Sequence, residues 1–372
     1  MSDKGGAVVK DNYTILVINT GSTSTKIALF QNETQILSQS IQHSAEELSA
    51  YDGPLAQVDM RKELVLQFLE RAGYVPEDID VIAARGGSFA VVSGGGYVID
   101  EAVLQIASAP RPGFRVSPSW LAALIAGNLS KELHIPAYFY NVVRTDEMND
   151  IARFSGISMI QRIPGGHPLN TKEVAHREAA AIGQTYETCT FIVAHLGGGI
   201  SVELHQNGRI VDTIGYTEGA FTPERAGLIP TNELIELCFS GKYTKKELEK
   251  FLRGSGGLVD YLGTNDVQKV EQMIAEGNQR AFSVLEAMAY QTAKAIGALA
   301  AAAGGNVDAV LLTGGVAYSA RVTQWIRERV QFIAPVSVYP GAFEMEALAN
   351  GILRICRGQE SAKHLESSRR DL

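Results

Sequence analysis

Cysteine is scarce in this chain, with three in 372 residues at Cys189, Cys238 and Cys356. They lie far apart, with no Cys-x-x-Cys pair and no histidine at metal-ligand spacing, which argues against a disulfide scaffold or zinc module and suits a reducing, cytoplasmic compartment. Long apolar runs are also missing. The longest stretches, such as 295–303 and 309–312, fall far short of the ~20 residues that cross a bilayer, so no membrane span is expected. The opening MSDKGGAVVKDNY is polar and lacks the apolar centre of a secretory leader. Cationic excess is absent too: 33 Lys and Arg stand against 41 Asp and Glu, for a net charge of -8, which argues against a nucleic-acid partner while leaving room for a local basic site. Two nucleotide-binding signatures are missing as well. Neither GxxxxGK[ST] nor a GxGxxG following a strand occurs.

What is present is the composition of a globular enzyme, with 45% hydrophobic and 20% charged residues, 37 Gly and 12 Pro. A chain of 372 residues implies two domains. The pattern opens with strands over 13–19 and 26–30 around a turn at Gly21 to Ser24. A helix is expected over 59–72, capped by Gly73. A strand over 81–84 ends at Arg85, a helix covers 120–133, and a strand over 137–143 delivers Arg144, Asp146 and Glu147 to its carboxyl end. The hairpin layout then recurs, with strands over 191–196 and 201–205 around GGGIS and a third over 210–213 after Asn207-Gly208. One long Ala-rich helix is expected over 267–303, a buried strand over 307–312, a helix over 319–333 and a last helix over 346–357. The charged tail over 363–372 is expected to fray. Alternating strands and helices with a duplicated hairpin-first layout make this an α/β chain in two related halves.

Three Gly/Ser/Thr turns each follow an apolar strand: 19–26 (NTGSTSTK), 196–201 (LGGGIS) and 313–318 (TGGVAY). Such turns expose backbone N–H groups that can cradle phosphate oxygens without a P-loop. The first also offers Asn19, Ser22, Ser24 and Lys26. Taken one at a time, a polar hairpin tip or a glycine needed only for packing would explain each. Two arginines complete the set, Arg85 before Gly86-Gly87 and Arg225 in the Pro/Gly-rich loop TPERAGLIP. Phosphoryl transfer between two anions needs such cations.

In order and spacing the three turns resemble the phosphate-1, phosphate-2 and adenosine motifs of the acetate and butyrate kinase family, within the acetate and sugar kinase/Hsp70/actin superfamily. The resemblance runs from about Ile15 to Arg354, and Asn19 is its most specific residue, since the sugar-kinase and actin-like branches usually carry Asp there. It implies a two-domain actin-like ATPase (ribonuclease H-like) fold with an interdomain active-site cleft, one domain over 1–150, a second over 151–345, and 346–372 returning to the first as a helix and tail.

It further implies that ATP/ADP is held by Asn19, Ser22, Ser24, Lys26, His195, Gly197, Gly198, Gly199, Gly314 and Gly315. Arg85 matches the arginine that binds the substrate carboxylate, Arg225 the one that contacts the phosphoryl group, and His167 the histidine that hydrogen-bonds it. Mg2+ would sit near Asp146 and Glu346, with Glu147 and Glu344 as alternatives; His176 and His205 match nothing in the family. Acetate-specific relatives carry Val and Phe where this chain has Gly87 and Gly166, so a roomier pocket is expected and the acceptor shifts toward butyrate: ATP + butanoate giving ADP + butanoyl phosphate. Acetate, propionate or isobutyrate remain alternatives, as does a nucleotide-dependent binding module of the actin/Hsp70 type. Relatives of this kind are homo-oligomers.

Overall fold

The computed structural model describes residues 10–87, 91–109, 116–215 and 217–365. They form two compact units, one of residues up to Thr145 and from Glu344 onward, the other Asp146–Phe343.

In the first unit, β1 (Thr14–Thr20), β2 (Ser24–Gln31), β3 (Thr34–Gln42), β4 (Val81–Arg85), β5 (Gly96–Val98) and β6 (Ala137–Tyr140) form a sheet in the order β3-β2-β1-β4-β6-β5. β1 to β3 are an antiparallel meander, while β4 and β6 continue the sheet in parallel. Central strands buried on both faces explain the continuous apolar runs Ile15 to Ile18 and Val81 to Ala84. The helix Val58–Ala72 buries Val65, Phe68 and Leu69 and stops at Gly73, whose φ of 74° is the left-handed cap expected there. The helices Leu121–Leu133 and Glu344–Cys356 both pack on β1, β4 and β6.

The tail departs from expectation. Lys363 donates its amide to Gly96 O (2.9 Å) and accepts from Val98 N (2.9 Å), and Leu365 is fully buried. Lys363 Nζ on Ser93 Oγ (3.2 Å) and His364 Nδ1 beside Asp100 Oδ2 (2.9 Å) add polar anchors; residues 366–372 of the expected frayed tail lie outside the described residues.

In the second unit, β7 (Thr190–Leu196), β8 (Ile200–Gln206), β9 (Arg209–Ile214), β10 (Ala309–Gly314) and β11 (Val336–Pro340) follow the order β11-β10-β7-β8-β9. Three antiparallel strands and then two parallel neighbours repeat the plan of the first unit. The single helix expected over 267–303 is two, Val267–Ala275 and Gln279–Ala302. The break falls where Gly277 takes a φ of 92° and Asn278 Oδ1 accepts from Ala281 N (3.0 Å) as an N-cap. The helical spacing of apolar residues continues across the break, so periodicity alone does not reveal it.

Candidate functional site

In the first unit, several of the expected residues gather at the carboxyl ends of β1 and β4. Between β1 and β2 the chain turns tightly, with Gly21 N donating to Ser24 O (2.8 Å). Arg61, fully buried, reaches this turn from the helix Val58–Ala72. Its Nη1 donates to Gly21 O (3.0 Å), Ser24 O (2.9 Å) and Thr25 Oγ1 (3.1 Å), and its Nη2 to Ser22 O (3.4 Å) and Gln57 Oε1 (2.9 Å). Because a peptide's C=O and the next N–H point in opposite directions, carbonyls drawn to Arg61 turn the N–H groups of Ser22 and Thr23 away from it. Ser22 and Lys26 are exposed there and Ser24 is half-buried.

Asn19, at the end of β1, is 3% exposed and donates Nδ2 to Glu344 Oε2 (2.8 Å). Arg85 Nη1, at the end of β4, donates to Asn19 Oδ1 (3.2 Å) and to Glu344 Oε2 (3.2 Å). The structure therefore joins Asn19 and Arg85 to Glu344. Glu346 lies two residues further round the helix, about 200° away from that face.

In the second unit the β7–β8 turn is Gly197, Gly198 and Gly199. Thr222 Oγ1 donates to Gly198 O (2.6 Å) and accepts from Arg225 N (3.0 Å), pinning the Arg225 loop to the turn. A Cβ at Gly199 would stand 2.6 Å from Arg225 Nη1, so glycine there lets the guanidinium lie against the turn. Gly314 (φ 93°) closes on the Leu196 backbone where any Cβ would collide, while Gly315 faces open space. His195 Nδ1 is 3.0 Å from Asn170 Nδ2, which also donates to Thr313 Oγ1 (3.1 Å). The rings of His167 and His195 stack at 3.9 Å and 17°. His167 Nδ1 meets Ser201 Oγ at 2.8 Å, and its amide donates to Glu203 Oε1 at 2.6 Å. Thus His167, His195, Arg225 and the two Gly-rich turns of this unit share one locality.

Glu203 has no exposed surface. Burial pushes its pKa up, but His205 and the donors Thr171 and the His167 amide outweigh this and hold it below the ordinary carboxylate value. Burial pushes the His205 pKa below the ordinary histidine value, against the opposing pull of Glu203, and its Nδ1 lies 2.8 Å from Tyr186 OH.

Three expectations need correction. Asp146 is not open to a metal: Arg153 donates Nη1 to its Oδ2 (2.8 Å) and Nη2 to its Oδ1 (2.6 Å), and Met148 N also donates to Oδ1 (3.2 Å). Glu147 is closed as well, paired with Lys172 Nζ (2.8 Å) and accepting from Ile210 N (2.8 Å). These pairs tie 146 and 147 into the second unit. Finally, Gly87 and Gly166 do not open a pocket. A Cβ at Gly87 would stand 2.6 Å from Trp120 Cδ1, and one at Gly166 would overlap the Glu203 carboxylate. The missing side chains are replaced by protein.

Arg61, Asn170, Ser201, Glu203 and Thr222 escaped the sequence reading. Arg61 has a signal, a lone cation on the stripe that carries Val65, Phe68 and Ala72. The alternation over 200–205 (ISVELH) reads instead as a half-exposed strand, although Ser201, Glu203 and His205 are all buried.

Known proteins bear on this arrangement. Residues 156–338 match the acetokinase family. Butyrate kinase 2 of Clostridium acetobutylicum is 44% identical over 353 residues, spanning 94% of this chain and 99% of that protein. Crystal structures of acetate kinase from Porphyromonas gingivalis and propionate kinase from Francisella tularensis superpose with TM-scores of 0.74 and 0.73, at 19% and 18% identity. Each covers 91% of this chain, and 99% and 98% of theirs; at that identity they establish the fold, the two-domain actin-like ATPase plan. Since the identity to the clostridial protein extends over nearly the whole of both chains, this chain belongs to the acetokinase family.

Proposed function

We propose that the chain is a short-chain carboxylate kinase that transfers the γ-phosphoryl group of ATP to butyrate or a close relative. The observation that carries this reading is the placement of Arg225, His167 and His195 around a glycine turn, in a chain related end to end to a butyrate kinase. A carboxylate is already ionised at pH 7 and needs no base. Its oxygen forms a bond to the γ-phosphorus as the bond to the β,γ-bridging oxygen breaks, and ADP leaves with that electron pair. Protein groups therefore act by placing two anions and neutralising charge. Arg225 and His167 serve the phosphoryl group, and the Gly197 to Gly199 turn with Gly314 and Gly315 serves the nucleotide, as do Ser22, Ser24 and Lys26. Arg85 serves the acid: its described contacts are confined to Nη1, leaving Nε and Nη2 for a second carboxylate.

Mg2+ takes oxygen ligands and keeps several waters. The Glu344 carboxylate suits it, since the described contacts of Glu344 fall on Oε2 alone and leave Oε1. When bound, the metal would neutralise charge on the phosphates. Glu344→Gln is expected to raise the Mg2+ needed for half-maximal turnover about tenfold or more. Asp146→Asn should leave that requirement unchanged and instead cost about 1–3 kcal/mol of stability. Metal titrations of both variants, with urea unfolding, would reverse the assignment if Asp146→Asn alone changed the Mg2+ demand.

Preference for butyrate rests on the clostridial relative, because the two glycines leave no void. ADP formation over an acetate-to-valerate series, branched acids included, tests it. Two further buried methylenes are worth about 1.6 kcal/mol, or roughly fifteenfold in kcat/KM over acetate. A higher value for acetate would refute the preference, and ATP hydrolysis indifferent to any acid would refute the kinase.

A cytoplasmic location and a homo-oligomer accord with this reading. No helix among the described residues is long and apolar enough to cross a membrane. Ile151, Phe154 and Met159 are 83%, 80% and 90% exposed, and a second copy would cover such a surface. Sedimentation is expected to give a dimer or larger; a monomer at micromolar concentration would exclude it.

A further inference from the structure

We propose that Glu203, acting through the Ser201 hydroxyl, is a positioning residue that keeps a proton on His167 Nδ1, while Asn170 keeps the opposite tautomer on His195, so that any positive charge of the stacked pair resides on His167. A carboxylate only accepts, and a serine hydroxyl has one proton to give. Ser201 Oγ lies 3.2 Å from Glu203 Oε1 and 2.8 Å from His167 Nδ1. With its proton directed to Glu203, the hydroxyl receives one from Nδ1. The same carboxylate oxygen accepts the His167 amide (2.6 Å), so it holds both main chain and ring. Its other oxygen accepts the Thr171 hydroxyl and faces His205 Nε2 at 3.4 Å.

The partner ring is fixed the other way. Asn170 Oδ1 accepts from Phe343 N (2.8 Å), so Nδ2 must be the atom facing His195 Nδ1. A donor there makes Nδ1 an acceptor and leaves the His195 proton on Nε2, which stands 3.0 Å from where a Gly197 Cβ would be. Two cationic rings 3.9 Å apart would repel, and the hydrogen bonds decide which one carries charge. The described groups around His167 include Ser201 and Glu203 from β8 with His205 beyond them, Thr171 from its own helix and His195 from β7; Arg225 lies beside Gly199 in the adjoining turn. Gly166 belongs to the same device, since any side chain there would displace the Glu203 carboxylate.

One consequence rests on the carboxylate-kinase reading. With Nδ1 committed to Ser201, His167 can donate Nε2–H to a phosphoryl oxygen only as imidazolium. Glu203 favours that cation, so activity is expected to fall as pH rises through the His167 titration.

The test is histidine 15N NMR of the full-length protein from about pH 5 to 8, with His167 assigned through His167→Gln. Neutral His167 is expected to carry its proton on Nδ1 and His195 on Nε2. Glu203→Gln should lower the His167 pKa by about one unit, and Ser201→Ala, which leaves the carboxylate in place, should abolish the Nδ1 preference. A wild-type His167 protonated on Nε2 when neutral, or a folded Glu203→Gln protein with unchanged His167 titration, would overturn the proposal. In kinetics the alkaline limb of kcat should move down by about one pH unit in Glu203→Gln. The predicted NMR pattern in a protein inactive toward every acid would support the relay and refute the kinase reading instead.

Discussion

Arg225→Ala is expected to lower turnover with butyrate by about a thousandfold or more, the range seen when charge-stabilising arginines are removed from phosphoryl-transfer sites. That factor corresponds to about 4 kcal/mol of transition-state stabilisation. The size follows from the chemistry: an anionic acid meets an anionic phosphoryl group, and the guanidinium lies against the turn proposed to hold the phosphates. The variant should still fold. Arg225 N and O are bonded to Thr222 Oγ1 (3.0 Å) and Thr222 N (2.9 Å) through the backbone, and alanine keeps both contacts. Initial-rate measurement of ADP formation, with the melting temperature as control, checks the result. A nearly unchanged kcat in a folded variant would remove Arg225 from the chemistry and with it the principal support for the proposed function.

Lys172→Ala is expected to cost about 3–5 kcal/mol of stability, because it leaves the buried Glu147 carboxylate without its counter-charge. Lys172 Nζ meets both oxygens of Glu147 at 2.8 Å and also Gly208 O at 3.3 Å. The pair thereby joins the start of the second unit to the helix Pro168–Ala181 and to the β8–β9 turn. Burial pushes the Glu147 pKa up, but the Lys172 charge and hydrogen bond and the Ile210 amide overcome it and hold the value low. A depressed carboxylate pKa contributes stability that is complete above the unfolded value of about 4.3 and is lost as pH falls through the lower folded value. The wild-type protein should thus lose this share only in acid, whereas Lys172→Ala lacks it at pH 7. Urea unfolding of the single variant and of Glu147→Gln/Lys172→Met measures the effect. The double variant should recover most of the loss, since an apolar or neutral pair leaves no buried charge. A single-variant loss under about 1 kcal/mol would mean that water reaches Glu147.

Much of the fold was legible because its signals are short-ranged. Apolar strands ending in small-residue turns marked both hairpins, and Gly73 marked a helix end that only a left-handed backbone permits. The repeated hairpin-first pattern anticipated the matching strand orders of the two sheets. Where signals overlap, the reading failed: helical spacing continues through Gly277 and Asn278, and the alternation ISVELH gives no sign that its polar face is buried. The Asp146 reading failed because a carboxylate at a strand end looks alike whether it faces a metal or an arginine seven residues on.

By itself, then, the sequence determined the turns and the cations that anionic partners require, since each depends on backbone rules or charge within a few residues. Tertiary structure alone decided which side chains meet. Asn19 reaches Glu344 across 325 positions, and Asn170 reaches Thr313 across 143. Only packing also decided that Gly166 holds space for a carboxylate rather than for a substrate, because a missing side chain in a sequence does not say what fills its place.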